Sequence, residues 1–118
     1  MTARISIFFE AWTIKDEQTR LAKISKVVAE TIEYDDPRTP ETLKGITALS
    51  DYLGIFSANA PGWTAKVIKS DRIGKFTRAT VSFNGMGPDG KEKVQLGQYF
   101  SENDGDLITR MVGFVGAE

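Results

Sequence analysis

The stretch that decides the fold is residues 63–116, WTAKVIKSDRIGKFTRATVSFNGMGPDGKEKVQLGQYFSENDGDLITRMVGFVG. Alternation of apolar and polar residues in this stretch is typical of β-strands, and glycine-rich and aspartate-rich turns interrupt it. The two Asp-Gly pairs, Asp89-Gly90 and Asp104-Gly105, are strong hairpin signals. Because the connections are short, neighbouring strands must be antiparallel. We predict four strands, Trp63–Ser70, Lys75–Asn84, Lys91–Ser101 and Leu107–Gly116.

The first half of the chain has helical periodicity instead. Apolar residues recur at helical spacing in three stretches, the first being Ile5, Phe8, Phe9 and Trp12, the second Leu21, Ile24, Val27 and Val28, and the third Leu43, Ile46, Leu49, Leu53 and Phe56. We predict the third helix over Thr42–Ala58, although Gly45 weakens its first turn and favours a start near Ile46. A short strand, Thr31–Tyr34, and a loop, Asp35–Pro40, separate the second and third helices. Helices followed by strands indicate an α+β fold.

The composition limits the classes of function. A chain of 118 residues points to one domain, 1–118, and a net charge of −1 argues against nucleic-acid or membrane partners. The absence of Cys and His excludes disulfides, thiolate nucleophiles, Ser-His triads and His-liganded metals, and nothing implies a cofactor. No run approaches the length of a membrane span, and the start of the chain lacks a secretory leader, so a cytoplasmic location is expected.

The alternation also predicts which side chains face the helices. On the second strand the apolar set is Ala79, Val81 and Phe83. On the third strand it is Val94, Leu96, Gln98 and Phe100, which we expect to face inward because a one-residue shift would bury charges. Gln98 is then a polar residue in an apolar row, and a buried amide needs hydrogen-bond partners.

The last strand carries apolar residues on both faces. Leu107, Met111 and Val115 share one face, and Ile108, Val112 and Phe114 the other. Helices on one side cannot cover both, which predicts a homodimer through the outer face of the sheet, with Arg110 near its edge. A terminal segment covering that face is the alternative.

Three segments together resemble a known family. They are Tyr34-Asp35-Asp36-Pro37, Gly45-Ile46 followed by Tyr52 and Phe56, and Gly97-Gln98-Tyr99-Phe100 before the final hairpin. Their order and spacing are similar to the SnoaL-like group of the nuclear transport factor 2-like superfamily. The resemblance implies a cone-shaped α+β fold of the cystatin-like type, in which N-terminal helices pack in a strongly curved antiparallel sheet around a pocket. Members include polyketide cyclases, ketosteroid isomerases, dehydratases, epoxide hydrolases and non-catalytic modules, so the fold does not determine the chemistry.

The resemblance to ketosteroid isomerases places Asp36 at the position of the general base, although Asp and Pro also simply favour turns. At the isomerase's two oxyanion-donor positions this chain has Phe8, or Trp12 if the alignment shifts, and Gln98. Phe8 cannot donate a hydrogen bond, whereas Trp12, Gln98 and Tyr34 can. The His-dependent dehydratase mechanism cannot apply, and an epoxide hydrolase would need Arg38 or Arg110 inside the pocket.

A pocket of this kind would be lined mainly by aromatic residues. The candidates are Trp12, Tyr34, Tyr52, Phe56, Trp63, Phe83, Gln98 and Met111, each of which could instead be ordinary core. Large aromatics with few polar groups suit a flat apolar ligand. The sequence thus favours a small-molecule pocket protein, either a cofactor-independent isomerase, cyclase or dehydratase-like lyase that acts on an apolar carbonyl compound with Asp36 as base and Gln98 as donor, or a non-catalytic ligand-binding or dimerisation module.

Overall fold

The helices lie in the first half of the chain, as expected. The structure is a computed structural model and describes residues 4–116. Its helices are α1 (Arg4–Glu10), extended by a 3-10 turn (Ala11–Thr13), α2 (Glu17–Ile24) and α3 (Ile46–Asn59). Asp16 caps α2, since its carboxylate accepts a hydrogen bond from the Thr19 amide at 2.8 Å. No helix among residues 4–116 is long and apolar enough to cross a membrane.

Six strands form one curved, unclosed sheet. They are β1 (Val28–Asp35), β2 (Leu43–Lys44), β3 (Thr64–Ile73), β4 (Phe76–Met86), β5 (Glu92–Asp104) and β6 (Leu107–Val115). Their order is β2-β1-β6-β5-β4-β3. The predicted antiparallel meander β3 to β6 is confirmed, and so is the α+β class.

The first half of the chain differs from the prediction in three places. The second helix ends at Ile24, and Val27 and Val28 lead into β1 instead of continuing a helical stripe. β1 is therefore longer than the predicted Thr31–Tyr34 strand, and it pairs in parallel with β6. The third helix does not begin at Thr42, because Leu43 and Lys44 form the strand β2 instead. It begins at Ile46, the later start expected from Gly45, whose φ of 92° ends the extended chain before the helix.

The helices cover the inner face of the sheet. α1 and its 3-10 turn supply Ile5, Phe8, Phe9 and Trp12 to a continuous core, all 4% exposed or less. The predicted inner row of β4 is confirmed, with Ala79 and Val81 buried and Phe83 half-buried against them. These residues form the floor on which the helices pack.

The predicted inner row of β5 is wrong. Gly97, Tyr99 and Ser101 are buried, whereas Val94 and Phe100 are 60% and 44% exposed. The register explains this, because Tyr99 pairs with Ala79 and therefore shares the inner face with it. Gln98 pairs with Thr80 and Phe114 on the outer face.

The outer face of the sheet is apolar over a wide area. Phe76, Phe100 and Phe114 are each exposed there, and the rings of Phe100 and Phe114 meet edge to face at 5.9 Å. Arg78, Arg110 and Glu102 lie among them and line a shallow groove with Phe100. As expected, β6 carries apolar side chains on its outer face as well as on its inner face.

Candidate functional site

A cavity of about 260 Å³ lies where the end of α3 faces the ends of the long strands. Its walls come from the Asp36 loop, the last turn of α3, the first half of β5 and the end of β6. The lining residues are Trp12, Asp36, Pro37, Arg38, Tyr52, Phe56, Asn59, Ala60, Trp63, Phe83, Gln95, Leu96, Gly97, Tyr99, Phe114 and Val115. Aromatic rings dominate this lining, and the acidic group is Asp36.

Asp36 accepts hydrogen bonds on both carboxylate oxygens. The hydroxyls of Tyr34 and Tyr52 donate to Oδ2 at 2.8 and 2.6 Å. The backbone amides of Arg38 and Thr39 donate to Oδ1 at 2.8 and 3.1 Å. The turn that Asp and Pro favour is therefore present, and the same carboxylate lies in the wall of the cavity.

The tyrosines around Asp36 are held in their neutral form. Burial raises the pKa of Tyr52, and its hydrogen bond to Asp36 raises that pKa further. Burial likewise raises the pKa of Tyr34, helped by nearby Tyr99 and Asp36. The pKa of Tyr99 is raised by burial and by the charge of Asp36. Because ionisation beside a carboxylate is unfavourable, the Tyr34 and Tyr52 hydroxyls remain hydrogen-bond donors to it.

Trp12 places a buried donor beside this network. The side chain is 3% exposed, and its Nε1 has no hydrogen-bond partner among the described residues. Its indole packs edge to face on Phe56 at 5.2 Å and tilted against Phe83 at 5.5 Å. A buried N–H without an acceptor costs about 1–3 kcal/mol, so an acceptor bound in the cavity would stabilise the protein.

The structure brings most of the candidate residues to the cavity. Asp36, Trp12, Tyr52, Phe56, Trp63 and Phe83 all line it. Tyr34 is fully buried behind Asp36 and reaches the site through its hydroxyl. Arg38 also lies in the wall, whereas Arg110 lies on the outer face of the sheet.

Two candidates lie elsewhere. Met111 is 1% exposed and belongs to the core on β6. Gln98 lies across the sheet from the cavity, in a shallow polar depression with Lys69, Arg78 and Thr80. The expected placement of Gln98 beside Asp36 is therefore wrong, because the inner row of β5 is the opposite one.

The sequence prediction missed Tyr99, Gln95, Gly97 and the two residues at the end of β6, Phe114 and Val115. Tyr99 would have been found from the other alternation of β5. Its ring lies against Gly113 of β6, where a Cβ would come within 2.3 Å of it. Gly97 and Gly113 thus leave room for the large ring of Tyr99. The inner row of β5 therefore fills the space against the helices although it contains few apolar residues.

No group of three or more His, Cys, Asp or Glu side chains capable of holding a metal ion occurs in the part of the chain that the structure describes. The residues that line the cavity carry a carboxylate, phenols, indoles and other aromatic rings, the guanidinium of Arg38 and the amides of Asn59 and Gln95.

Comparison with known proteins shows the fold. No family model matches the sequence, and no curated protein matches it. A protein of the SnoaL-like family from Agrobacterium tumefaciens has a similar structure, with a TM-score of 0.81 at 22% identity over 97% of this chain and 95% of that one. A protein with a ketosteroid isomerase-like fold from Catenulispora acidiphila, solved with trimethylamine, has a TM-score of 0.77 at 16% identity over 95% and 85%.

A third structure, a nuclear transport factor 2-like protein of unknown function from Cytophaga hutchinsonii, has a TM-score of 0.70 at 13% identity over 95% of both chains. The structural resemblance expected from Tyr34–Pro37, Gly45-Ile46 and Gly97–Phe100 is therefore confirmed. The curved sheet, the helices on its inner face and these likenesses give this chain the fold of the SnoaL-like, ketosteroid isomerase-like and other nuclear transport factor 2-like proteins.

Proposed function

We propose that the protein binds a small, largely apolar carbonyl compound in the cavity and that Asp36 acts on it as a general base. The observation that carries the proposal is the buried indole N–H of Trp12, which lacks an acceptor and belongs to the wall that also holds Asp36. A carbonyl oxygen would supply that acceptor, and the aromatic lining would bury the rest of the ligand. The trimethylamine complex of the Catenulispora acidiphila protein supports small-ligand binding by this fold.

The proposed reaction is proton transfer next to the carbonyl group. The proton leaves the α-carbon for the Asp36 carboxylate, and the C–H electron pair forms a C=C bond as the carbonyl oxygen becomes an enolate oxygen. Trp12 Nε1–H donates to that oxygen and takes the donor role that the sequence prediction gave to Gln98, which lies on the outer face. Where the substrate carries a β,γ C=C bond, the intermediate is a dienolate, and return of the proton from Asp36 to the γ-carbon completes an isomerisation that leaves the C=C bond between the α- and β-carbons.

A non-catalytic binding protein is the second candidate, and one observation favours it. Asp36 already accepts four hydrogen bonds, two on each oxygen. A carboxylate offers about four lone-pair sites, so a substrate proton must displace one donor. Tyr52 is the side-chain donor that lines the cavity and would have to turn away.

The test measures binding and proton transfer separately, with acetophenone as the probe. Thermal-shift titration reports binding, and deuterium exchange of the methyl protons in heavy water, followed by NMR, reports the base. We expect the protein to bind acetophenone and to accelerate exchange. Asp36→Asn should retain binding and slow the exchange at least about 100-fold. Asp51→Asn, an exposed carboxylate on α3, is the matched control and should exchange at the original rate.

The outcomes separate the two candidates. Binding without any accelerated exchange would rule out the base and leave the non-catalytic binding protein. Binding that Trp12→Phe leaves unchanged would contradict the role of the indole N–H. Absence of binding by a panel of small apolar ketones would overturn both readings of the cavity.

We propose further that two copies associate through the outer face of the sheet. The exposed rings of Phe76, Phe100 and Phe114 support this, because a two-fold axis would bury them against the same rings of the second copy. Phe100→Glu should convert a dimer to a monomer in light scattering coupled to gel filtration. Ile55→Glu, at a position on α3 that is also exposed, should leave the oligomeric state unchanged. A wild-type monomer at high concentration would refute the dimer.

A further inference from the structure

The indole of Trp63 lies close to the sheet because Gly85, the residue beneath it, has no side chain. Trp63 precedes β3, next in register to the pair Thr64 and Asn84, and so lies opposite Gly85. A Cβ added at Gly85 would come within 2.2–2.4 Å of three indole ring atoms, Cδ2, Cγ and Cε2. Gly85 follows Phe83 by two residues on the inner face of β4, so that Cβ would push the indole toward the cavity.

The other face of the indole has no aromatic partner among residues 4–116. The remaining cavity rings pack on one another, as Trp12 does on Phe56 and as Phe83 does on Tyr99 at 6.2 Å. Trp63 is half-buried and lines the cavity, although none of the aromatic pairs includes it. With one face on Gly85, the face that remains is the one available to a ligand.

We propose that Trp63 is a stacking platform for a planar conjugated ring and that Gly85 positions it, an inference that rests on the proposed ligand site. The geometric reason is that the indole lies on Gly85 and lines the cavity, while no aromatic ring among residues 4–116 packs on it. The ligand class narrows accordingly, from apolar carbonyl compounds in general to those whose carbonyl is attached to a flat ring. A puckered saturated ring of the same size cannot make the same stacked contact.

Two ketones that differ only in the saturation of the ring test this inference. Acetophenone carries a planar ring, and cyclohexyl methyl ketone carries a puckered one. We expect acetophenone to bind about three- to tenfold more tightly, which is the range that aromatic pairing supplies. In ¹H–¹⁵N spectra it should shift the indole signals of both Trp12 and Trp63, which Trp63→Phe assigns.

Variants at Trp63 and Gly85 test the role of stacking through the ratio of the two ketone affinities, which a purely structural role would leave unchanged. Trp63→Leu should abolish the preference for acetophenone, and Trp63→Phe should keep most of it. Gly85→Ala, which displaces the indole, should weaken acetophenone more than its saturated counterpart. Met86→Ala, at an exposed neighbouring position, is the matched control and should leave both affinities unchanged.

The results distinguish failure of the platform from failure of the site. If both ketones bind equally and shift only the Trp12 signal, the platform is refuted and the proposed ligand site stands. A preference that persists in a folded Trp63→Leu variant, or in Gly85→Ala if the leucine variant does not fold, also refutes it. If neither ketone binds, the proposed function fails and this inference fails with it.

Discussion

Replacing Arg20 by alanine is expected to lower the free energy of unfolding by about 3–5 kcal/mol. The side chain is 5% exposed, and it joins α2 to α3 and to the segment before α2. Its Nε donates to the backbone oxygen and hydroxyl of Ser50 at 2.9 and 3.1 Å, and Nη1 donates to the Ile14 carbonyl at 2.9 Å. The substitution removes these hydrogen bonds and leaves a void beside Gly54, which is packed against the guanidinium.

Urea denaturation measures this loss. Arg20→Met keeps an aliphatic side chain but loses the guanidinium and its hydrogen bonds, so its stability should lie between those of wild type and alanine. Arg72→Ala is the control, because Arg72 is exposed and its Nε donates only to the nearby Gly74 carbonyl. We expect the control to change stability by less than about 0.5 kcal/mol. A loss below about 1 kcal/mol for Arg20→Ala would show that the buried guanidinium is not what joins the helices.

The fold should lose stability steeply above pH 10. Burial raises the pKa of Tyr34 and of Tyr99 in the folded protein, while in the unfolded chain tyrosine titrates near pH 10. Above that pH the unfolded state releases protons that the folded state retains, and stability therefore falls as pH rises. Each buried tyrosine lowers the free energy of unfolding by up to about 1.4 kcal/mol per pH unit in this range. The stabilisation is fully present below pH 10 and is lost as the pH rises toward the folded pKa values.

Urea unfolding at pH 8 and at pH 11 tests this dependence. Tyr34→Phe and Tyr99→Phe should each remove part of the alkaline loss, because phenylalanine does not titrate. An alkaline slope that is identical in wild type and in both variants would contradict the assignment to these tyrosines.

Much of the architecture follows from local patterns. The hairpins at Asp89-Gly90 and Asp104-Gly105 and the inner row of β4 agree with the sequence prediction, and Gly45 lies where the third helix begins. Each depends on neighbouring residues, through turn chemistry, glycine geometry or alternation along one strand. Asp36 and most of the aromatic residues that line the cavity were predicted correctly, because the family resemblance and the helical and strand periodicity both indicate a position in the pocket.

Local alternation did not predict which row of β5 faces the helices. Both of its alternating rows contain apolar residues, and the pattern gives more of them to the row that faces outward, Val94, Leu96 and Phe100. Such counting assumes that only the inner face is apolar. Here the outer face is apolar too, so the assumption fails and Gln98 was placed on the wrong side.

The sequence by itself determined the order of helices and strands, the turns between them and the chemical groups available to a pocket, because these depend on short-range geometry and on composition. Only the tertiary structure decided that Asp36 receives Tyr34 and Tyr52, that Tyr99 fills the space over Gly97 and Gly113, and that Gln98 lies outside. The contacts of Asp36 with Tyr52 and of Tyr99 with Gly113 join different elements of the fold. They depend on strand register and on the volume that a glycine leaves open, neither of which a local pattern contains.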